Sequence, residues 1–142
     1  MVLPWREFLH DLSEGLVLRA GSSTTDLANA EARLGVRFPH DLTALLAETD
    51  GFYDSERDYE CAWPVARIVG ENTLRWLDHD APLDEDLLGF GEDGAGGWFC
   101  MPHGPGSTAS VYQWAWIERT RHLVAPDLRT FWQGWFTGRI TV

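Results

Sequence analysis

The fold of this chain is decided by residues 30–51, AEARLGVRFPHDLTALLAETDG. A capping box led by Ser23 opens a helical pattern that ends at Gly35, because glycine is favoured just past the end of a helix. Pro39 then starts a second pattern of apolar residues at helical spacing, and Gly51 ends it. The segment therefore predicts two consecutive helices, each followed by a glycine.

Further elements are predicted on both sides of this segment. Apolar residues at i, i+3, i+4 and i+7 predict a helix over residues 4–16. Residues 68–77 indicate a helical turn or a short helix, and a full apolar stripe from Leu128 predicts a last helix that ends before Gly138. Short runs of β-branched and aromatic residues predict strands at 52–53, 59–65, 87–90, 98–101 and 110–118.

The order of these elements predicts an α+β fold. The glycine-rich run GEDGAGG at residues 91–97 fits a hairpin turn between two of the strands. Strands joined by short turns after a block of helices indicate an antiparallel sheet, with the N-terminal helices and the C-terminal helix packed on one side of it. Neither a repeat nor a change in composition marks a boundary, so we expect a single domain over residues 1–142.

The charge of the chain restricts the partners that it can bind. Its 142 residues include 22 acidic and 11 basic side chains, and all the basic ones are Arg, which gives a formal net charge of −11. The absence of Lys excludes phosphate-loop and Schiff-base lysine chemistry. A negative charge repels nucleic acid and anionic lipid, whereas it attracts a basic protein. We therefore expect a basic protein partner, and neither nucleic acid nor a membrane as a direct ligand.

The cysteine count and the N-terminal segment indicate a cytoplasmic protein. Cys61 and Cys100 are the only thiols, which is too few for a disulfide framework. Charged side chains interrupt residues 1–12, where a secretory signal needs an unbroken apolar run. We expect a reduced, cytoplasmic chain.

Two patterns raise the alternative of an enzyme or a metal site. Cys100 and His103 are close in sequence, but the glycines and prolines around His103 place it in a loop, and the other histidines lack ligand spacing. Cys100 therefore fits a core thiol. The run GFGEDG at 89–94 matches a dinucleotide-binding pattern, yet no helix follows it. The sequence predicts no catalytic residue, no metal and no cofactor.

Clustered carboxylates and surplus tryptophans indicate a protein-binding surface instead. Charge runs are often only a solvated surface, but they also suit docking of a basic partner. Eight Trp residues are more than one core of this size readily hides, and Trp is frequent at binding hot spots. The predicted electrostatic residues are Asp54, Glu56, Asp58, Glu60, Glu92 and Asp93, and the predicted aromatic anchors are Trp98 and Trp116.

Several motifs together resemble the SUKH superfamily, the Smi/Knr-like proteins. The resemblance rests on residues 30–51 with their Leu-Gly, proline and final glycine, on the motif WPV at 63–65, and on the later glycine turn within residues 86–99. It also rests on Val111-Tyr112 and on the spaced aromatics of the last helix. Asp50 stands where the family usually has Asn. The resemblance covers nearly the whole chain and implies an α+β domain without catalytic residues.

The resemblance also implies a function. In bacteria such proteins commonly serve as immunity proteins that neutralise a cognate toxin, often a nuclease. We therefore expect an immunity protein whose partner is a basic toxin. A non-catalytic regulatory or scaffold module that binds another protein through the same surface is the alternative. Neither the toxin nor the oligomeric state follows from the sequence.

Overall fold

The computed structural model describes residues 2–142 and confirms the α+β class. Residue 1, which the predicted domain over 1–142 includes, lies outside the described part. The helices are α1 Trp5–Leu12, α2 Thr24–Leu34, α3 His40–Glu48, α4 Val65–Trp76 and α5 Leu128–Phe136. The strands are β1 Leu16–Leu18, β2 Phe52–Asp54, β3 Tyr59–Ala62, β4 Leu87–Glu92, β5 Trp98–Pro102, β6 Val111–Ala115 and β7 Thr120–Ala125.

The two helices predicted around residues 30–51 are both present. At the start of α2, Ser23 Oγ accepts a hydrogen bond of 3.0 Å from the Asp26 N–H. Gly35 ends α2 with a φ of 71°, a left-handed conformation that costs glycine little because it has no Cβ. α3 begins directly after Pro39, whose ring holds φ near the helical value. Local signals therefore set these boundaries.

The strands form two antiparallel sheets rather than the single sheet expected from the sequence. The first sheet has the order β1-β2-β3 and the second has the order β4-β5-β6-β7. The two sheets meet where the Trp63 N–H donates a 2.8 Å hydrogen bond to the Phe90 carbonyl oxygen. Pro64 comes next and has no N–H to donate, so it cannot extend a ladder between the sheets.

Residues 93–97 of the glycine-rich run form the predicted hairpin turn, and the first two residues of the run end β4. β4 and β5 pair in antiparallel fashion on its two sides, with Glu92 opposite Trp98. Gly91 lies at the junction of the two sheets, where a Cβ atom would stand 2.1 Å from the Cys61 carbonyl oxygen. The backbones approach so closely that a side chain at position 91 does not fit.

α4 and α5 cover opposite faces of the second sheet, which corrects the expectation that the helices lie on one side. On β5, Trp98 faces α4, where the Arg75 guanidinium lies 5.8 Å from the centroid of its ring system. The next residue, Phe99, contacts Phe131 of α5 with ring centroids 4.5 Å apart. Because consecutive side chains of a strand point to opposite faces, the sheet lies between the two helices.

Asn72 fastens α4 to β4 within the core. Its side-chain amide donates to the carbonyl oxygens of Ile68 and Gly89, and its Oδ1 accepts from the Gly89 N–H, all at 2.8 Å. Asn72 is fully buried, so these bonds replace the water that its amide loses on folding. This attachment sets the position of α4 over the sheet.

The main differences from the sequence prediction concern α1, β1, α4, β6 and β7. The helix predicted over residues 4–16 ends at Leu12, and Leu16–Leu18 pair with β2 instead. Val65–Trp76 form a full helix where a turn or short helix was expected. The strand predicted over 110–118 ends earlier, and the chain turns back to add β7 to the edge of the sheet.

Candidate functional site

The predicted acidic residues lie on and beside the β2–β3 and β4–β5 turns. Glu56 and Asp58 are exposed in the first turn, whereas Glu60, Glu92 and Asp93 are half-buried. Asp58, Glu60 and Glu92 line one shallow depression of about 350 Å³. The structure therefore brings three of the predicted carboxylates together around one depression.

Asp54 does not belong to this surface, which corrects the sequence prediction. It is buried at 3% exposure, and its Oδ1 accepts hydrogen bonds of 2.9 and 3.1 Å from the N–H groups of Glu56 and Arg57. Asp is favoured in turns because its side chain can make such bonds to the following backbone. The carboxylate thus holds the β2–β3 turn in shape and is not available to a partner.

Two guanidinium groups neutralise part of the acidic surface. Arg19 pairs with Glu60 through both carboxylate oxygens, one of them 3.0 Å from Nη1, and the Glu60 contact raises the pKa of Arg19. Arg67 Nη2 lies 3.1 Å from Glu92 Oε2. Asp93 Oδ1 accepts from two backbone N–H groups of its own turn. The carboxylates of this surface that have no described guanidinium partner are Glu56, Asp58 and Asp93.

Of the two predicted aromatic anchors, only Trp116 reaches the surface. Trp98 is 5% exposed and lies edge to face between Trp63 and Trp116, with ring centroids 4.8 and 5.0 Å away. Such packing leaves Trp98 almost no area for a partner, which corrects its assignment. Trp116 is half-buried, and the Arg75 guanidinium lies 4.3 Å from its centroid in a cation–π contact.

Three exposed apolar side chains, two at the end of α4 and one after β6, were not predicted from the sequence. Leu74 and Leu77 flank Arg75 and are 69% and 71% exposed, and Ile117 is 93% exposed. Leu74 is an apolar residue on the side of α4 away from its buried face, and such a residue indicates exposed apolar surface. The sequence shows this only if residues 65–76 are already known to form a helix.

A groove of about 1040 Å³ separates the α2–α3 loop from the β5–β6 loop. Phe38 and Pro39 line one wall, and Met101 and Pro102 line the other. These walls lie far apart in the chain, so no local pattern indicates the groove. Its lining is mainly apolar, and it can accept apolar groups.

The sequence of the chain matches the model of a known protein family. The model of the SMI1 / KNR4 family (SUKH-1) matches residues 21–134, from the segment before α2 into α5. The chain belongs to the SUKH-1 family. The comparison with curated proteins found no match.

This SUKH-1 protein has Asp50 where the family usually has Asn, and both side chains can accept the same hydrogen bond. Asp50 Oδ1 accepts a 2.7 Å hydrogen bond from the Val65 N–H at the start of α4. The Asn that is usual at this position in the family has a carbonyl oxygen that accepts the same bond. Asp50 therefore fits a structural role in this SUKH-1 fold.

The residues that raised an enzymatic alternative are not assembled in this SUKH-1 protein. The Cys100 thiol is fully buried, and burial raises its pKa above the ordinary value. His103 Nε2 lies 2.7 Å from the Glu85 carbonyl oxygen and makes no described hydrogen bond to Cys100. Within residues 2–142, no cluster of three or more His, Cys, Asp or Glu side chains is arranged to hold a metal ion.

None of the helices described has both the length and the apolar character needed to cross a membrane.

Proposed function

We propose that this SUKH-1 protein is a bacterial immunity protein that binds a cognate toxin and neutralises it without covalent chemistry. The observation that carries the proposal is the net charge of −11 in a member of this family. A toxin that attacks nucleic acid is basic where it holds phosphate. An acidic protein occupies such a surface with favourable charge complementarity.

The exposed β2–β3 turn supports fast association in this proposal. Glu56 and Asp58 project charge into solvent and attract a basic surface before contact. Glu60 and Glu92, held by Arg19 and Arg67, are fixed carboxylates that a partner meets at close range. Trp116 and Asp93 complete the proposed surface, whereas Asp54 and Trp98 stay inside the protein.

We also propose where the protein works and how it blocks the toxin. The protein works as one domain in the cytoplasm, without a cofactor or a metal, and acts where its toxin is active. Occupation of the active site of the toxin, or of the surface next to it, blocks the toxin for as long as the complex lasts.

Co-expression with the product of the adjacent reading frame tests the proposal. We expect that product to arrest growth when expressed alone, growth to be rescued when this protein is present, and the two chains to co-purify. Co-purification without toxicity indicates instead a regulatory or scaffold module. Toxicity with neither rescue nor co-purification contradicts the proposal for that partner.

A further inference from the structure

We infer that the groove between the α2–α3 loop and the β5–β6 loop is a second contact with the basic toxin, and that it holds an extended segment of the toxin in which Lys or Arg lies beside an apolar side chain. This inference rests on the proposed function and adds a contact site to it. Asp86 lines the groove and directly precedes β4, whereas Glu92 lines the acidic depression and ends β4. The two sites are therefore at opposite ends of a strand that is roughly 17–20 Å long.

The groove has the size and the lining of a binding site. Its volume of about 1040 Å³ is at the upper end of the range for small-ligand pockets, so it can hold a short stretch of chain. Pro39 and Pro102 line it from opposite walls, together with Phe38 and Met101, which are almost completely buried. An apolar side chain that enters between these walls is removed from water, which favours binding.

Both loops offer backbone hydrogen-bond donors to an extended segment. The N–H groups of Arg37 in one loop and of Thr108 and Ala109 in the other make no described hydrogen bond. All three residues are exposed and lie outside the helices and strands. The carbonyl oxygens of an extended segment can accept from such groups, as they do when a peptide binds along an unpaired strand. An extended chain therefore suits the groove.

The charges that line the groove favour a basic occupant. Three carboxylates line it, those of Asp41, Glu85 and Asp86, against one guanidinium, that of Arg37. Arg121 binds Asp86, whereas Asp41 and Glu85 have no described guanidinium partner. The net charge of −11 of the whole chain adds to the attraction. An apolar groove with excess negative charge complements a segment that carries Lys or Arg beside an apolar side chain.

Both walls of the groove are held in place before a partner arrives. In the α2–α3 loop, the Phe38 N–H donates to Glu31 Oε2 at 2.7 Å. After β5, the His103 N–H donates to the Asp86 carbonyl oxygen at 2.9 Å, and His103 Nε2 lies 2.7 Å from the Glu85 carbonyl oxygen. A groove that is already formed loses little conformational entropy on binding, so more of the contact energy appears as affinity.

The same charges disfavour two other occupants. A second copy of this chain would bring together two proteins that each have a net charge of −11. A small apolar molecule would leave the carboxylates of Asp41 and Glu85 without a partner of opposite charge. A basic segment of the toxin gains from the apolar walls, the backbone donors and the carboxylates together.

Substitutions at Ala109 test the inference. Ala109 lines the groove and is exposed, so the fold should persist, which circular dichroism and urea unfolding check. Ala109→Arg and Ala109→Glu both introduce a long side chain, but with opposite charges. With the purified product of the adjacent reading frame, we expect calorimetry to show binding at least about tenfold weaker for Ala109→Arg than for wild type, and at least about threefold tighter for Ala109→Glu than for Ala109→Arg.

Ala28→Arg is the matched control, because it makes the same change in net charge at an exposed position of α2 that does not line the groove. We expect its binding to stay within about twofold of wild type. Equal weakening by Ala28→Arg and Ala109→Arg shows an effect of total charge and overturns the inference.

Four other results also overturn the inference, and they are distinguishable. If wild type and Ala109→Arg bind equally, the groove is not a contact and the proposed function remains. If Ala109→Arg and Ala109→Glu weaken binding equally, the occupant of the groove is not basic. If sedimentation shows that wild type self-associates and Ala109→Arg does not, the groove belongs to a second copy. If wild type itself does not bind the toxin, the proposed function fails and the inference fails with it.

Discussion

Gly91 shows how one residue decides the junction of the two sheets. Because a Cβ at this position would stand 2.1 Å from the backbone oxygen of Cys61, neither strand can keep its place after Gly91→Ala. We expect this substitution to lower the free energy of unfolding by about 1–3 kcal/mol, the usual cost of overpacking. Urea unfolding followed by tryptophan fluorescence measures the change.

Gly70→Ala is the matched control for Gly91→Ala. Gly70 lies within α4, is exposed, and has open space where its Cβ would stand. Alanine restricts the unfolded chain more than glycine does, so we expect this variant to be more stable by about 0.5–1 kcal/mol. Equal stability of Gly91→Ala and wild type contradicts the close contact between the sheets.

The two thiols offer a second test at the residue scale. Cys61 and Cys100 are both buried. Burial raises the pKa of Cys61 to about 12 and also raises the pKa of Cys100, because it disfavours the charged thiolate. We expect neither thiol of the folded protein to react with an aromatic disulfide reagent at about pH 8, and both to react after unfolding in denaturant. Rapid reaction without denaturant contradicts this burial.

Elements with strong local signals were predictable, whereas elements stabilised by distant partners were not. α5 begins where Asp127 Oδ1 accepts a 2.8 Å bond from the Thr130 N–H, a cap that is visible in the sequence. β1 has only three residues and depends on pairing with β2, far along the chain. In α4, the buried Asn72 interrupts the apolar stripe and Gly70 lowers the helix propensity, so the helical signal was weak.

Arg121 connects β7 to the loop before β4 and predicts a pH dependence. Its guanidinium donates to Asp86 at 2.9 Å and to Asp84 at 2.7 Å. The bond from Arg121 lowers the pKa of Asp86 below its ordinary value. A carboxyl group whose pKa is lower in the folded state stabilises the fold above its unfolded pKa, and this contribution is lost as the pH falls through the folded pKa.

The substitution Arg121→Gln removes this contribution. Because Asp86 is more than half exposed, we expect a loss of less than about 1 kcal/mol at neutral pH. The difference in unfolding free energy from wild type should shrink as the pH falls from about 5 to about 2. Carboxyl NMR should show the titration of Asp86 shifted upward in the variant. An unchanged titration of Asp86 contradicts the contact.

For the whole molecule, the sequence predicted an acidic surface, but it did not predict correctly which residues are exposed on it. Asp54 lies in the same charge run as Glu56 and Asp58, yet it bonds to the backbone of its turn, and only coordinates show this. Trp98 and Trp116 lie on the same side of the second sheet. α4 covers Trp98 more fully than Trp116. This difference could not be predicted, because the sequence does not show how α4 crosses the strands.

The charge of the β2–β3 turn predicts the kinetics of association with the toxin. We expect Glu56→Gln/Asp58→Asn to lower the association rate constant by roughly threefold at low salt and to weaken its salt dependence, because steering is lost. Asp58 has a φ of 56°, a conformation that Asn tolerates. Stopped-flow fluorescence measures the rates.

A matched variant distinguishes the effect of charge in the β2–β3 turn from the effect of the total charge of the protein. Glu7→Gln/Asp11→Asn removes the same two charges from exposed positions on α1. We expect a smaller effect on the association rate constant than for the turn variant. Equal effects of the two variants show that only the total charge matters, which contradicts the role given to the β2–β3 turn.

Titration of the toxin with this protein tests most directly whether neutralisation is binding rather than catalysis. The measured quantity is residual toxin activity as the molar ratio increases, followed by activity of toxin recovered from the complex by denaturation and refolding. We predict that inhibition rises until a fixed molar ratio is reached and that the recovered toxin is fully active. Complete inactivation by a small fraction of a molar equivalent, with toxin that stays inactive after recovery, would contradict the account.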